Sequence, residues 1–178
     1  MSPTLQGALW MSGSLVSFTC MAVAGRELAD SLDTLEIMMY RSIIGLLIVV
    51  SVLSLRRQWH VVTFERIGAH VTRNIVHFTG QNLWFFAVAV APLAQVFALE
   101  FTTPLWVIVL SPLFLGEKLT RLRAICAAIG FIGILIVARP TTETLNAGVL
   151  SAAGAAIFFA LTYIMTKTLT ETESIGAI

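Results

Sequence analysis

The chain has 178 residues, of which 57% are hydrophobic and 12% charged, and its 11 Lys plus Arg against 10 Asp plus Glu leave a net charge of +1. A soluble domain needs about 25% charged residues to wet its surface, and a disordered chain needs more, so both classes are excluded. The near-neutral balance also lacks the uncompensated cations that nucleic-acid binding requires, and the solvent that fits this composition is a lipid bilayer.

Crossing about 30 Å of hydrocarbon takes roughly 20 mostly apolar residues in a helix, with every backbone amide satisfied internally. Six segments meet that demand: Leu5 to Ala24, Leu35 to Leu55, Thr72 to Val90, Leu93 to Leu115, Leu122 to Ala138 and Ala147 to Thr166. They predict an all-α integral membrane protein of about six transmembrane helices. Charged or turn-forming stretches separate them: Arg26 to Asp33, Arg56 to Arg73, Ala91-Pro92, Gly116 to Arg123 and Arg139-Pro140. The first span lacks the basic stretch of a cleaved leader, with no Lys or Arg before Arg26, so it is expected to stay as a membrane helix.

Lys and Arg in short loops stay on the cytoplasmic side. With the N-terminus cytoplasmic, Arg56, Arg57, Arg66, Arg73, Lys118, Arg121, Arg123 and Lys167 fall inside, and Arg26 and Arg139 outside. That distribution predicts a cytoplasmic N-terminus; the expected location is the plasma membrane, a bacterial inner membrane. Cys20 and Cys126 lie within apolar stretches, without His or Cys at metal-ligand spacing, and are expected to pack or face lipid.

An offset of 141 residues aligns the first span with the sixth: Gly7 with Gly148, Leu9 with Leu150, Gly13 with Gly154, Phe18 with Phe159, Arg26 with Lys167 and Leu28 with Leu169. Five crossings separate the starts of the two copies, and an odd number reverses direction, so the second copy is expected to be inverted. Inverted repeats enclosing a midplane site are a recurring plan of secondary transporters. The division expected is a first repeat of five helices over residues 1–140 and the start of a second repeat over 141–178. The chain then reads as an N-terminal piece of a protein of about ten spans.

The fourth span carries Ala94, Phe97, Ala98, Thr102, Pro104, Leu105 and Trp106, and is followed by Leu115-Gly116-Glu117-Lys118-Leu119-Thr120 and by Gly130 and Gly133 in the fifth. That order, with Arg41 in the second span, resembles the EamA-type branch of the drug/metabolite transporter superfamily. The resemblance covers the first repeat and the opening of the second. It implies a 5+5 inverted-repeat fold and carriage of small metabolites or drugs.

Ionisable and amide groups inside lipid-exposed helices are costly unless they face a partner or a wet cavity, so they mark candidate sites. On the third span a rotation of about 100° per residue puts His70, Asn74, His77, Gln81 and Trp84 within an arc of roughly 80°. Asn74, His77 and Gln81 either line a cavity or hold helices together. Glu100 and Arg41 enter from the outer face to depths of roughly 12 and 9 Å, so they are able to meet. They either bind a charged substrate group or exchange a proton, or else Arg41 snorkels outward while Glu100 is a neutral structural acid. Trp10 shares a face with Ser14, Ser17 and Met21, a pathway lining or a packing seam. Pro104 removes one backbone hydrogen bond in mid-span and is the expected hinge.

Neither metalloprotease, nucleophile-elbow nor phosphate-loop motifs occur, so no enzymatic activity, metal or cofactor is expected. The leading expectation is a secondary-active or facilitative carrier of small molecules working by alternating access, with scope for proton coupling and for assembly as a homodimer or with a complementary half. The competing one is a nontransporting membrane scaffold or subunit made from a truncated transporter.

Overall fold

The computed structural model of the chain describes residues 2–62, 65–116, 119–138, 146–174 and 177. These form α1 (Pro3–Leu28), α2 (Thr34–Leu55), a 3-10 turn at Trp59–Val61, α3 (Ile67–Val90), α4 (Leu93–Glu100), α5 (Thr103–Leu115), α6 (Arg121–Ala138) and α7 (Ala147–Thr170), with no strand among the described residues. Among the described residues four units are long and apolar enough to cross a membrane: Thr4–Leu28, Thr34–Leu55, Leu93–Leu115 and Ala147–Thr170. At 24 residues α3 equals them in length, but Arg73, Asn74, His77, Gln81 and Asn82 dilute its apolarity. The 18-residue α6 opens on Arg121 and Arg123.

Helix ends follow local chemistry. Asp33 and Glu36 cap α2 reciprocally: the Glu36 N–H donates to Asp33 Oδ1 at 2.9 Å and the Asp33 N–H to Glu36 Oε2 at 3.0 Å. Gly116, with φ of 64°, closes α5 in the left-handed conformation that glycine adopts without strain. Thr120 Oγ1 accepts the Arg123 N–H at 3.3 Å at the start of α6. Glu117, Lys118, Arg139 and Pro140, which the sequence marks as turn residues, lie outside the described residues.

The bundle is built on close approach of α3 and α7. A Cβ on Gly80 would lie 2.9 Å from Phe158 Cβ, one on Gly148 2.6 Å from Val90 Cγ2, and one on Gly154 3.3 Å from Leu83 Cδ1. At the other end, Arg73 Nε donates to Thr166 Oγ1 at 3.2 Å and Arg66 Nη1 to Thr172 Oγ1 at 2.8 Å. As positions rise along α3 their partners fall along α7, so the two helices run antiparallel over their whole length. Gly130 and Gly133 of α6 make no such approach: a Cβ on Gly130 would make only ordinary contact with Leu105, and one on Gly133 would meet nothing within 4 Å.

By contrast α1 runs parallel to α3: Phe18 packs on Trp84, Gly25 on Phe85, and Arg26 reaches the C-terminal end of α3. It follows that α7 runs opposite to α1. Arg26 donates to the Val88 carbonyl at 2.8 Å from Nε and 2.6 Å from Nη2, and Nη2 also donates to the Ala91 carbonyl. The cause lies in the corner. Pro92 has no N–H to give Val88, and the Gln95 N–H that would reach Ala91 bonds to Pro92 instead. The guanidinium from α1 satisfies both acceptors.

Most of α1 and α2 faces outward, with Leu9, Met11, Leu15, Ile44 and Leu47 exposed, as suits a lipid-facing surface. Cys20 of α1 and Cys126 of α6 are free and exposed. The buried core is small-residue rich, with Ala22, Ala87, Ala152 and Ala155 around Trp84, Val88 and Val96.

Two measurements check this packing. Gly80→Ala should lower the thermal midpoint in detergent, because a rigid Cβ meets another Cβ, while Gly133→Ala should leave it unchanged or raise it, alanine favouring a helix by about 1 kcal/mol. Arg26→Ala should destabilise by about 1–3 kcal/mol in chemical unfolding, the loss for carbonyls left without donors.

Candidate functional site

Five helices enclose a cavity of about 70 Å³. Arg41 enters it from α2, His77, Gln81 and Trp84 from α3, and Glu100 from the end of α4. These are five of the residues singled out by sequence. The helical period puts the three α3 side chains on one face, and that face meets α1 and α7. Phe18 and Met21 of α1 and Phe159, Thr162 and Tyr163 of α7 complete the wall with Phe85.

The two opposite charges share the cavity without pairing. Arg41 Nη2 donates to Gln81 Oε1, its Nη1 lies 3.7 Å from Met21 Sδ, and its Cζ sits 5.6 Å from the centre of the Phe85 ring. Glu100 Oε2 accepts the Trp84 Nε1–H at 2.8 Å. Each charge therefore has a neutral partner at hand, and no ion pair joins Arg41 to Glu100 among the described residues. His77 Nδ1 is buried with no hydrogen-bond partner, and the His77 ring lies 5.9 Å from that of Phe159. Trp84, 2% exposed, anchors the aromatic wall, tilted against Phe18 at 5.3 Å and edge-on to Phe85 at 5.1 Å. Such a site offers a carboxylate, a guanidinium, an imidazole and an amide between aromatic faces.

A volume of 70 Å³ admits a few waters, whereas metabolite pockets run from about 300 Å³ upward. The cavity adjoins an open groove of about 530 Å³ between α1, α4 and α7, which shares Phe18, Glu100 and Tyr163 with it.

Three sequence candidates fall elsewhere. Asn74 is exposed one turn below the cavity, and its Oδ1 accepts Arg73 Nη1–H at 2.9 Å. Trp10 is 73% exposed and lines a shallow groove along α1 with Ser14 and Ser17. Pro104 does not kink a continuous helix. The fourth span breaks at Phe101 and Thr102, before Pro104, which occupies the second position of α5. There the Thr102 N–H and Oγ1 both donate to the Leu99 carbonyl, at 3.0 and 2.6 Å, and the chain restarts as α5 from Thr102. Proline is tolerated in a first turn because its missing N–H would have no intrahelical partner.

Sequence reasoning did not assign Phe18, Phe85, Phe159, Thr162 or Tyr163 to the site. Aromatic residues are common throughout the apolar spans, and only the match of Phe18 with Phe159 across the 141-residue offset set that pair apart.

Comparison with known proteins agrees with this architecture. Residues 5–139 match the model of the EamA-like transporter family. An S-adenosylmethionine uptake transporter of Rickettsia felis is 27% identical over 170 residues, covering 96% of this chain and 58% of that protein. A riboflavin transporter of Vibrio cholerae is 28% identical over 173 residues, again with 96% and 58% covered. A riboflavin transporter of Brucella anthropi is 36% identical over 114 residues, 64% of this chain and 40% of that one. The chain thus spans a little under three fifths of the length of the curated relatives that match nearly all of it. No solved structure matches it significantly. With its helical, apolar architecture and a family match over most of its length, the chain belongs to the EamA-like transporter family, a group of integral membrane transporters rather than enzymes.

Proposed function

We propose that the chain forms the first repeat, and the opening helix of an inverted second repeat, of a carrier that moves small metabolites across a bacterial plasma membrane by alternating access. The observation that carries this reading is the cavity in which Arg41, His77, Gln81 and Glu100 meet from three helices between aromatic walls. Charged groups within a membrane are costly, and here they contact neutral partners and a void rather than each other, an arrangement suited to receiving a polar cargo. The relatives named for S-adenosylmethionine and riboflavin suggest the cargo class: a heteroaromatic metabolite whose rings lie against Phe18, Trp84 and Tyr163 while its polar substituents reach Arg41 and Glu100. Glu100 and His77 are the groups able to carry a coupling proton.

The opposed directions of α1 and α7 support the inverted repeat. Arg66 beside Thr172 and Arg73 beside Thr166 put the start of α3 and the end of α7 on one side. That side collects most cations, which supports a cytoplasmic N-terminus. The break at Phe101 and Thr102, adjoining Glu100, is the proposed hinge, with Pro104 barring the N–H that would fuse α4 to α5.

Uptake of radiolabelled riboflavin and S-adenosylmethionine by cells expressing the protein from its own gene tests the proposal. Flux above the control strain is expected for a compound of this class. Glu100→Gln and Arg41→Gln should each weaken apparent affinity roughly ten- to a hundredfold, the loss of a charge-assisted hydrogen bond. Flux indifferent to both substitutions would overturn the assignment of the site, and absence of flux for a broad panel of metabolites would favour a scaffold.

A further inference from the structure

One turn of α3 holds both charges of the cavity. Gln81 Oε1 accepts from the Arg41 guanidinium that arrives from α2, and the Trp84 Nε1–H, three residues on, donates to Glu100 Oε2 at 2.8 Å at the end of α4. Phe85 joins the two contacts: its ring meets Trp84 edge-on at 5.1 Å, and Arg41 Cζ lies 5.6 Å from its centre. Opposite charges lining one void of about 70 Å³ attract strongly where water is scarce, and both side chains have enough rotatable bonds to swing together. Their separation therefore needs a restraint.

The indole is fixed from several sides. Trp84 is 2% exposed and lies tilted against Phe18 at 5.3 Å, while Phe85 is itself wedged against α1, where a Cβ on Gly25 would stand 2.9 Å from Phe85 Cε1. Trp84 cannot turn to follow a departing carboxylate, so Glu100, the last residue of α4, is the partner free to move. An indole N–H only donates and carries no charge; it serves an acid through a charge-assisted hydrogen bond and offers nothing to a guanidinium. Packing alone would be met by a phenyl ring, which has no N–H to give Glu100.

We infer that Trp84 is a positioning residue of the site, whose N–H pins Glu100 to α3 and keeps the carboxylate from closing onto Arg41. Without that donor Glu100 swings to the guanidinium in place of Gln81, and the two form an ion pair that a cargo would have to break. The inference rests on the reading of this cavity as the cargo site given above, and its test needs no cargo.

Equilibrium unfolding in detergent of the protein expressed from its own gene, with Arg41→Gln, Glu100→Gln and both, measures how far the two groups depend on each other. Their coupling is the factor by which the double variant's unfolding constant departs from the product of the single effects. On the background of Trp84→Phe, which keeps a ring and removes the donor, that factor should rise about tenfold or more, as a new buried ion pair requires. Trp84→benzothienylalanine, with the outline of the indole but no N–H, gives the same measurement should Trp84→Phe fail to fold. Trp84→Gln, whose amide N–H stands at a similar reach from Cβ, should bring the coupling back to within about twofold of the original. Coupling unchanged by removal of the N–H would overturn the inference. So would coupling as high in Trp84→Gln as in Trp84→Phe, which would trace the effect to the ring. Failure here is separate from failure of metabolite flux.

Discussion

Inside a bilayer no hydrophobic force drives one helix against another, so what holds α3 to α7 must come from packing and hydrogen bonds. Gly80, Gly148 and Gly154 remove side chains where the backbones pass, and the bonds from Arg73 to Thr166 and Arg66 to Thr172 fix the other end. The site depends on this contact. Without α7 the polar face of α3 would open to lipid, and Phe159 and Tyr163 would have no place in the wall. The helices that precede α7 thus depend on it for one wall of the cavity.

The cavity in turn keeps its charges apart. Desolvating an isolated carboxylate or guanidinium is expensive, and a direct ion pair recovers part of that cost only at the expense of both groups' capacity to bind anything else. Here Trp84 serves Glu100, and Gln81 with the face of Phe85 serves Arg41. Neutral donors and acceptors of this kind can be exchanged for those of a ligand with little net change in charge burial, whereas a closed Arg–Glu pair would first have to be broken.

Much of this was legible in the sequence because it follows from two periodicities. The length of apolar runs places the crossings, and 3.6 residues per turn brings His77, Gln81 and Trp84 to one face. The same rule fails at Asn74, where angle is right but height is wrong: one turn lower, the face has left the cavity and Asn74 meets Arg73. Trp10 differs for another reason: it stands on an exposed stretch of α1, 73% exposed and outside the cavity, while Met21 of the same face reaches Arg41. At Pro104 the sequence marks the place of a missing N–H, yet the chain bends before it, where Thr102 turns its amide and hydroxyl back on Leu99. The contributions of α7 are hidden because nothing local distinguishes one phenylalanine in an apolar helix from another.

The corner between α3 and α4 has a consequence for how such chains can vary. Arg26 is needed there because Pro92 cannot donate, so two residues far apart in sequence answer a single shortage of protons. A homologue that replaced Pro92 with an ordinary amino acid would supply Val88 from within the helix and release Arg26 to drift. One that lost Arg26 while keeping proline would strand two carbonyls. The two positions should therefore covary across evolution, and a lysine, lacking a planar fork, should seldom stand in for the arginine.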